Sequence, residues 1–188
     1  MLERLKKKES RLKPLLPDKS QTFIEWQEQL ELRLCSRPEA APTVNASCVY
    51  RICAMDYILE RLAVGDINDA RNIPLEITAL LNCADEHDTA REGIPYLKIP
   101  LIDFQPIDAA YIPKAVAWIQ EMIVDHRVLI HCNAGIGRSP SIAVCYLCEV
   151  GFGFEEAVRL VKAKRPDAVP HRDLKSAIML ARRMSLFK

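Results

Sequence analysis

The chain has 188 residues, enough for one ordinary domain and an appendage. A hydrophobic fraction of 49% and a charged fraction of 27% exclude wholesale disorder, a collagen-like chain and a polar low-complexity protein. With 26 basic residues against 25 acidic ones, the net charge of +1 gives no global attraction to nucleic acid or anionic membrane.

In chain order, residues 1–19 carry seven basic side chains (Arg4, Lys6, Lys7, Lys8, Arg11, Lys13, Lys19) against three acids, Glu3, Glu9 and Asp18. The opening has no apolar run behind its charges, so it does not read as a secretory signal. Pro14 and Pro17 break any helix there. Thr22 to Glu25 has capping-box spacing, and Phe23, Trp26, Leu30 and Leu34 recur at helical intervals. Pro38, Pro42 and small polar residues over 36–47 read as a linker. Residues 1–50 are therefore expected to form a basic tail, an amphipathic helix and a tether, the helix docking on its own domain or on a partner. Residues 51–188 form the main domain.

Within that domain, Ile58–Val64, Ile77–Ala84, Tyr96–Leu101 and Val128–His131 read as strands. Ala109–Val124, Ser139–Glu149, Glu155–Arg165 and Asp173–Met184 read as helices. Phe154, Val158 and Val161 make an apolar face on the third helix. Leu174, Ala177, Ile178 and Ala181 make one on the fourth. The alternation implies an α/β fold, a central mainly parallel twisted sheet flanked by helices. The longest mainly apolar stretch, Ile142–Phe154, is broken by Glu149 and two glycines and is too short to span a bilayer. Seven cysteines, odd in number and irregular in spacing, fit reduced thiols in a cytoplasmic protein. Cys145 and Cys148 read as buried core thiols. His87, His126, His131 and His171 lack ligand spacing, so neither a metal nor another cofactor is expected.

The segment Val128–Glu149 carries the chemistry. It runs from a buried strand through Cys132-Asn133-Ala134-Gly135-Ile136-Gly137-Arg138 into a helix that begins at Ser139, with Pro140 suited to its first turn. A strand–loop–helix junction aims successive backbone N–H groups and the positive helix end at one point. Gly135 and Gly137 permit the backbone conformations such a cradle needs. Arg138 adds a planar clamp for two phosphate oxygens. The same field favours a thiolate at the start of the loop. The reading is a tetrahedral-oxyanion site, Asn133 to Arg138, with a nucleophile beneath it.

His131-Cys132-Asn133-Ala134-Gly135-Ile136-Gly137-Arg138-Ser139 closely resembles the signature of the cysteine-dependent protein tyrosine phosphatase superfamily, in particular the small atypical dual-specificity phosphatases. The likeness covers about residues 55–180. Tyr57–Asp66, Leu80–Cys83, Tyr96–Asp103 and Lys164–Pro166 are similar to other segments of that family. The resemblance implies attack by Cys132 on phosphorus, a phosphocysteine intermediate, and Asp103 as the proton donor that later activates water. Arg138 and the loop amides would stabilise the transferring oxygens. Ser139 would hydrogen-bond the sulfur and help expel it. His131 orders the loop. The resemblance also suggests that Asn82 braces the loop from the neighbouring strand, with a turn role as the alternative. Asp108 is the rival acid and reads as a helix-start residue.

Within that resemblance, uncharged Asn133, Ala134 and Ile136 favour a phosphoprotein over polyphosphorylated head groups, and the resemblance implies a shallow pocket for phosphotyrosine first and phosphoserine or phosphothreonine second; nucleic acid and membrane are not expected partners. Asn82–Asp88 resembles a segment of a lipid phosphatase branch, so a phosphoinositide substrate stays open. An RNA 5′-phosphatase would use a basic groove from Arg165, Arg172, Lys175, Arg182 and Arg183. A phosphate-binding module without turnover and a sulfurtransferase are further alternatives. Cys83 ends a strand expected beside that of Cys132, which makes it a possible redox partner.

Overall fold

A computed structural model describes residues 55–184. The expected tail, helix and linker of residues 1–50 lie outside the described residues. The chain separates between Ile52 and Cys53, and every described residue belongs to the carboxy-terminal unit.

Ten elements follow in order: β1 (Asp56–Leu59), β2 (Leu62–Gly65), α1 (Ile67–Arg71), β3 (Ala79–Ala84), β4 (Tyr96–Leu101), α2 (Tyr111–Met122), β5 (Val128–His131), α3 (Arg138–Glu149), α4 (Phe154–Lys164) and α5 (Leu174–Arg183). The five strands form one sheet in the order β1-β2-β5-β3-β4. β1 pairs antiparallel with β2, and the other three pairings are parallel. The expected single strand Ile58–Val64 is instead part of a hairpin, because Glu60 and Arg61 turn the chain and Val64 returns opposite Asp56.

The short helix α1 was not anticipated, and local hydrogen bonding accounts for it. The carboxylate of Asp66 accepts from the N–H groups of Asn68 at 2.7 Å and Asp69 at 3.0 Å. The carboxylate of Asp69 accepts in return from the Asp66 N–H at 2.9 Å. This reciprocal cap satisfies end donors that five residues of helix could not satisfy alone.

Strand alternation sorts the core into two layers. Ala63, Leu129 and Leu80 share one row of the sheet and cluster with Ala70 and Ile77. Val64, Ile130 and Leu81, one residue along, belong to the opposite face by the two-residue period, and all are fully buried. α3 packs against β2, β3 and β5 and also against α2 and α4. That enclosure explains why eleven of its twelve residues are buried, with no polar face. Cys145 and Cys148 lie in this helix, and burial pushes both thiols up from their ordinary range.

β5 occupies the middle of the sheet, with Gly65 opposite His131 on one side and Asn82 on the other. The carboxyl ends of three parallel strands therefore converge where β5 runs into α3. Loops at such an edge are free of ladder hydrogen bonds and are the usual place for a ligand in an open parallel sheet.

Candidate active site

The connection Cys132–Gly137 curls between the end of β5 and the first turn of α3. Cys132 is 1% exposed, and its Sγ accepts from the Gly135 N–H at 3.2 Å and from the Ser139 hydroxyl at 3.3 Å. The same hydroxyl reaches the Gly65 carbonyl at 3.4 Å, so Ser139 links the sulfur to β2. Gly135 has a φ of +70°, and a Cβ there would meet the Arg165 guanidinium and stand 2.8 Å from the Gly65 carbonyl oxygen. Both conformation and space require glycine at this point. The loop is anchored again where the Ile67 N–H donates to the Asn133 carbonyl at 3.1 Å.

Arg138 opens α3, 1% exposed. Its Nη1 and Nη2 donate to the two carboxylate oxygens of Glu86, each at 2.7 Å, and Nη1 also donates to the Leu101 carbonyl at 3.0 Å. Asp103 Oδ2 lies 3.5 Å from Nη2. The Arg138 Nε–H is buried without a protein acceptor. A guanidinium has five N–H groups in a fixed plane. Here Nη1 is saturated and Nη2 half used, which leaves Nε and the second Nη2 proton as one adjacent edge. That edge suits two oxygens of a phosphoryl group. The ion pair with Arg138 holds the Glu86 carboxyl down at about 2.

His131 is fully buried. Its Nε2 lies 2.8 Å from the Thr89 hydroxyl and its Nδ1 lies 3.4 Å from the Cys132 carbonyl. Burial lowers its pKa from 6.5 to about 4, so the ring is neutral near pH 7. Asn82 Nδ2 donates to the His87 carbonyl at 2.8 Å and the Tyr96 hydroxyl at 3.0 Å, while its Oδ1 accepts from the Ala84 N–H at 2.8 Å. Of its two sequence readings, these contacts correspond to the turn role, which shapes the β3–β4 connection. From that connection His87 Nε2 approaches Asn133 Oδ1 to 3.1 Å.

The structure thus brings Cys132, Ser139, Arg138 and Asp103 together. Asp103 is half-exposed at the end of β4, and its Oδ1 accepts from the Phe104 N–H at 3.2 Å. Asp108 caps the approach to α2, its Oδ1 accepting from the Ala110 N–H at 2.9 Å. Ala134 and Ile136 are exposed on the loop. Sequence reasoning missed Glu86, Thr89 and Arg165 as supports. The one available signal was the density of polar residues after β3, Asp85-Glu86-His87-Asp88-Thr89. Arg165 is a correction: it is buried rather than part of a basic groove. Its Nε donates to the Gly135 carbonyl at 2.7 Å and its Nη1 to Asp56 at 2.8 Å. Lys175 pairs with Glu155 at 3.0 Å, and Arg182 donates to the Cys148 carbonyl at 2.9 Å. Among the described residues, no three His, Cys, Asp or Glu side chains converge as metal ligands.

A thiol that accepts from a loop N–H and a hydroxyl, with a buried arginine edge and a half-exposed carboxylate close by, suits nucleophilic attack on a phosphate ester. The profile of the family "Dual specificity phosphatase, catalytic domain" matches residues 63–184. The chain belongs to that family and is a cysteine-dependent dual-specificity phosphatase. It is 33% identical over 124 residues to mouse dual specificity protein phosphatase 22, covering 62% of this chain and 67% of that protein. Mouse dual specificity protein phosphatase 15 is 28% identical over 124 residues, covering 62% and 53%. The crystal structure of DUSP15 superposes with a TM-score of 0.63 at 26% identity, covering 71% of this chain and 92% of that one. Human DUSP28 shares the fold, with a TM-score of 0.63 at 20% identity over 74% and 99% of the two chains.

Two predictions arise from the supporting groups. Replacing Glu86 by Gln puts an amide N–H against an Arg138 N–H and removes the countercharge. A lost hydrogen bond between charged groups is worth about 1.5–3 kcal/mol, so kcat/KM for an aryl phosphate should fall roughly 10- to 100-fold, with far-ultraviolet circular dichroism unchanged. The His131 ring has a lower pKa folded than unfolded, so unfolding takes up a proton. Stability should therefore decline as pH drops from about 6.5 to about 4, and His131→Asn should flatten that part of the curve measured by urea denaturation.

Proposed function

We propose that Cys132 is the nucleophile, attacking phosphorus in line to form an S–P bond as the P–O bond to the leaving group breaks. Asp103 donates a proton to the departing oxygen. The same carboxylate then takes one from the water that attacks phosphocysteine and releases inorganic phosphate. Arg138 binds two phosphoryl oxygens through its Nε–Nη2 edge, and the N–H groups of residues 133–138 hold the third charge centre. Ser139 donates to the sulfur as it leaves. His131 and Asn82 act as structural supports.

The buried, unpartnered Nε of Arg138 beside the Cys132–Ser139 pair is the observation that carries this assignment. The substrate is a phosphoprotein, with phosphotyrosine favoured. Uncharged side chains at Asn133, Ala134 and Ile136, and the acids Asp85, Glu86 and Asp88 exposed on the β3–β4 connection, offer nothing to the additional phosphates of an inositol head group. Among the described residues no helix is long and apolar enough to cross a membrane.

Cys83 adds a redox reading. It is fully buried and follows Asn82, which pairs with His131, so the two cysteines lie at the carboxyl ends of neighbouring strands, Cys83 one residue before the end of β3 and Cys132 one residue after β5. Peroxide oxidises the Cys132 thiolate to a sulfenic acid with release of hydroxide. The Cys83 thiol then displaces hydroxide from that sulfur, forming a disulfide and water.

Hydrolysis of an aryl phosphate across pH 4–8 tests the mechanism. Cys132→Ser should be inactive, Arg138→Lys should lose at least about 100-fold in kcat/KM, comparable with removal of a transition-state donor, and Asp103→Asn should lose the basic limb of a bell-shaped profile. Wild type that is silent under reducing conditions, or a Cys132→Ser variant that turns over, overturns it. For the redox reading, peptide mapping after peroxide should find a Cys83–Cys132 linkage whose absence in Cys83→Ser accompanies irreversible loss of activity. Sulfinic acid accumulating at Cys132 of the wild type without a linked pair refutes it.

A further inference from the structure

Four carbonyls of the phosphate loop are held from outside it. The Ile67 N–H donates to the Asn133 carbonyl at 3.1 Å, and the Val169 N–H to the Ile136 carbonyl at 2.8 Å. Ser141 donates to the Gly137 carbonyl through its N–H at 3.0 Å and its hydroxyl at 2.8 Å. Of the four, the Gly135 carbonyl is held by a charged group, the Arg165 Nε, at 2.7 Å. A peptide unit is planar and trans, so its N–H lies on the side opposite its C=O. Each outward carbonyl therefore turns the N–H of the next residue inward. For the Gly135–Ile136 peptide, the group turned inward is the Ile136 N–H.

That peptide has glycine on its amino side, so its plane can rotate and carry the carbonyl inward, where its partial negative charge opposes a phosphoryl oxygen. Arg165 resists the rotation, and Asp56 keeps Arg165 in place. The arginine side chain is 10% exposed, and Asp56 is its one ion-pair partner among the described residues, at 2.8 Å through Nη1. The Val64 carbonyl adds a longer contact at 3.4 Å but no charge. A guanidinium at that depth without its countercharge is unfavourable, and exchanges buried contacts for water.

We infer that Asp56, at the start of β1, is a positioning residue for the reaction: through Arg165 it keeps the Gly135–Ile136 peptide turned with its N–H toward the transferring phosphoryl group. This role rests on the phosphatase reading above, and adds a carboxylate outside the catalytic groups on which the polarity of the cradle depends. A cationic donor on the Gly135 carbonyl also makes the Ile136 N–H a stronger donor, because hydrogen bonds in series polarise one another. Asp56 thus acts on the anion through two hydrogen bonds and one peptide plane, without touching it.

Alkylation of Cys132 by iodoacetate and by iodoacetamide, followed on its own peptide, tests this without a substrate. Both reagents form a carbon–sulfur bond and release iodide, but only iodoacetate carries a carboxylate for the cradle to hold. The ratio of their second-order rate constants, relative to that for free cysteine, therefore reports the cradle rather than the reactivity of the sulfur. Asp56→Ala should lower this ratio about tenfold, and kcat/KM for an aryl phosphate by a similar factor, while Arg165→Met should cost about 100-fold in kcat/KM, as for loss of one oxyanion donor. Asp56→Asn keeps an oxygen for Nη1 and should lie between wild type and Asp56→Ala. In the Arg165→Met background, Asp56→Ala should change neither quantity by more than about twofold. If Arg165→Met does not fold, the order of the ratio along the Asp56 series decides. A wild type without iodoacetate preference, or a ratio unchanged in Asp56→Ala, overturns the role of Asp56. So do equal losses in both alkylation rates, which mean a generally loosened loop, and additive losses in the double variant. Wild type that keeps the iodoacetate preference but hydrolyses no aryl phosphate defeats the phosphatase reading instead, and leaves the orientation of the peptide standing.

Discussion

The arrangement turns on a guanidinium placed inside the protein. Arg138 is 1% exposed, and an uncompensated charge at that depth would cost several kcal/mol. Two things keep it there. Glu86 and the Leu101 carbonyl take three of its N–H groups, and the remaining edge is kept for the anion the site exists to bind. The positive charge of the pocket is thus fixed before substrate arrives. A catalytic group oriented in advance needs no reorganisation when charge moves in the transition state. The cost of burial is carried by Glu86, a residue that makes none of the bonds in the reaction.

What could be read from the sequence and what could not divides along contact distance in the chain. The nucleophile, the loop glycines and the arginine occupy one short run, so local chemistry alone outlined the oxyanion site. β4, β5 and the helices around them were legible because short, mainly apolar runs alternate with stretches of helical periodicity. The hairpin was not, since Glu60 and Arg61 interrupt an apolar run without glycine, proline or asparagine to mark a turn. Nor were the supports. Glu86 is 52 residues from Arg138, Thr89 is 42 from His131 and Arg165 is 30 from Gly135. Each looks like an ordinary surface residue until the fold brings the β3–β4 connection and the end of α4 against the end of β5 and the loop that follows it.

Three segments share the work of holding one loop, each with a different kind of bond. The β3–β4 connection supplies side-chain contacts through Glu86, His87 and Thr89. The β2–α1 corner supplies backbone, through Gly65 and Ile67. The end of α4 supplies Arg165, whose Nε donor meets a loop carbonyl that would otherwise be buried unmet. Because the attachments come from all sides, substitution of any one leaves the others in place. The loop therefore has little freedom to collapse onto the thiol.

Arg165 also joins Gly135 to Asp56, a partner 109 residues earlier in the chain. During synthesis the chain emerges from its amino end, so β1, β5 and the cysteine loop are all made before this clasp exists. The cradle of a nascent chain therefore lacks this attachment until α4 has been translated. The order of manufacture thus makes the attachment from α4 the last of these three supports to be added.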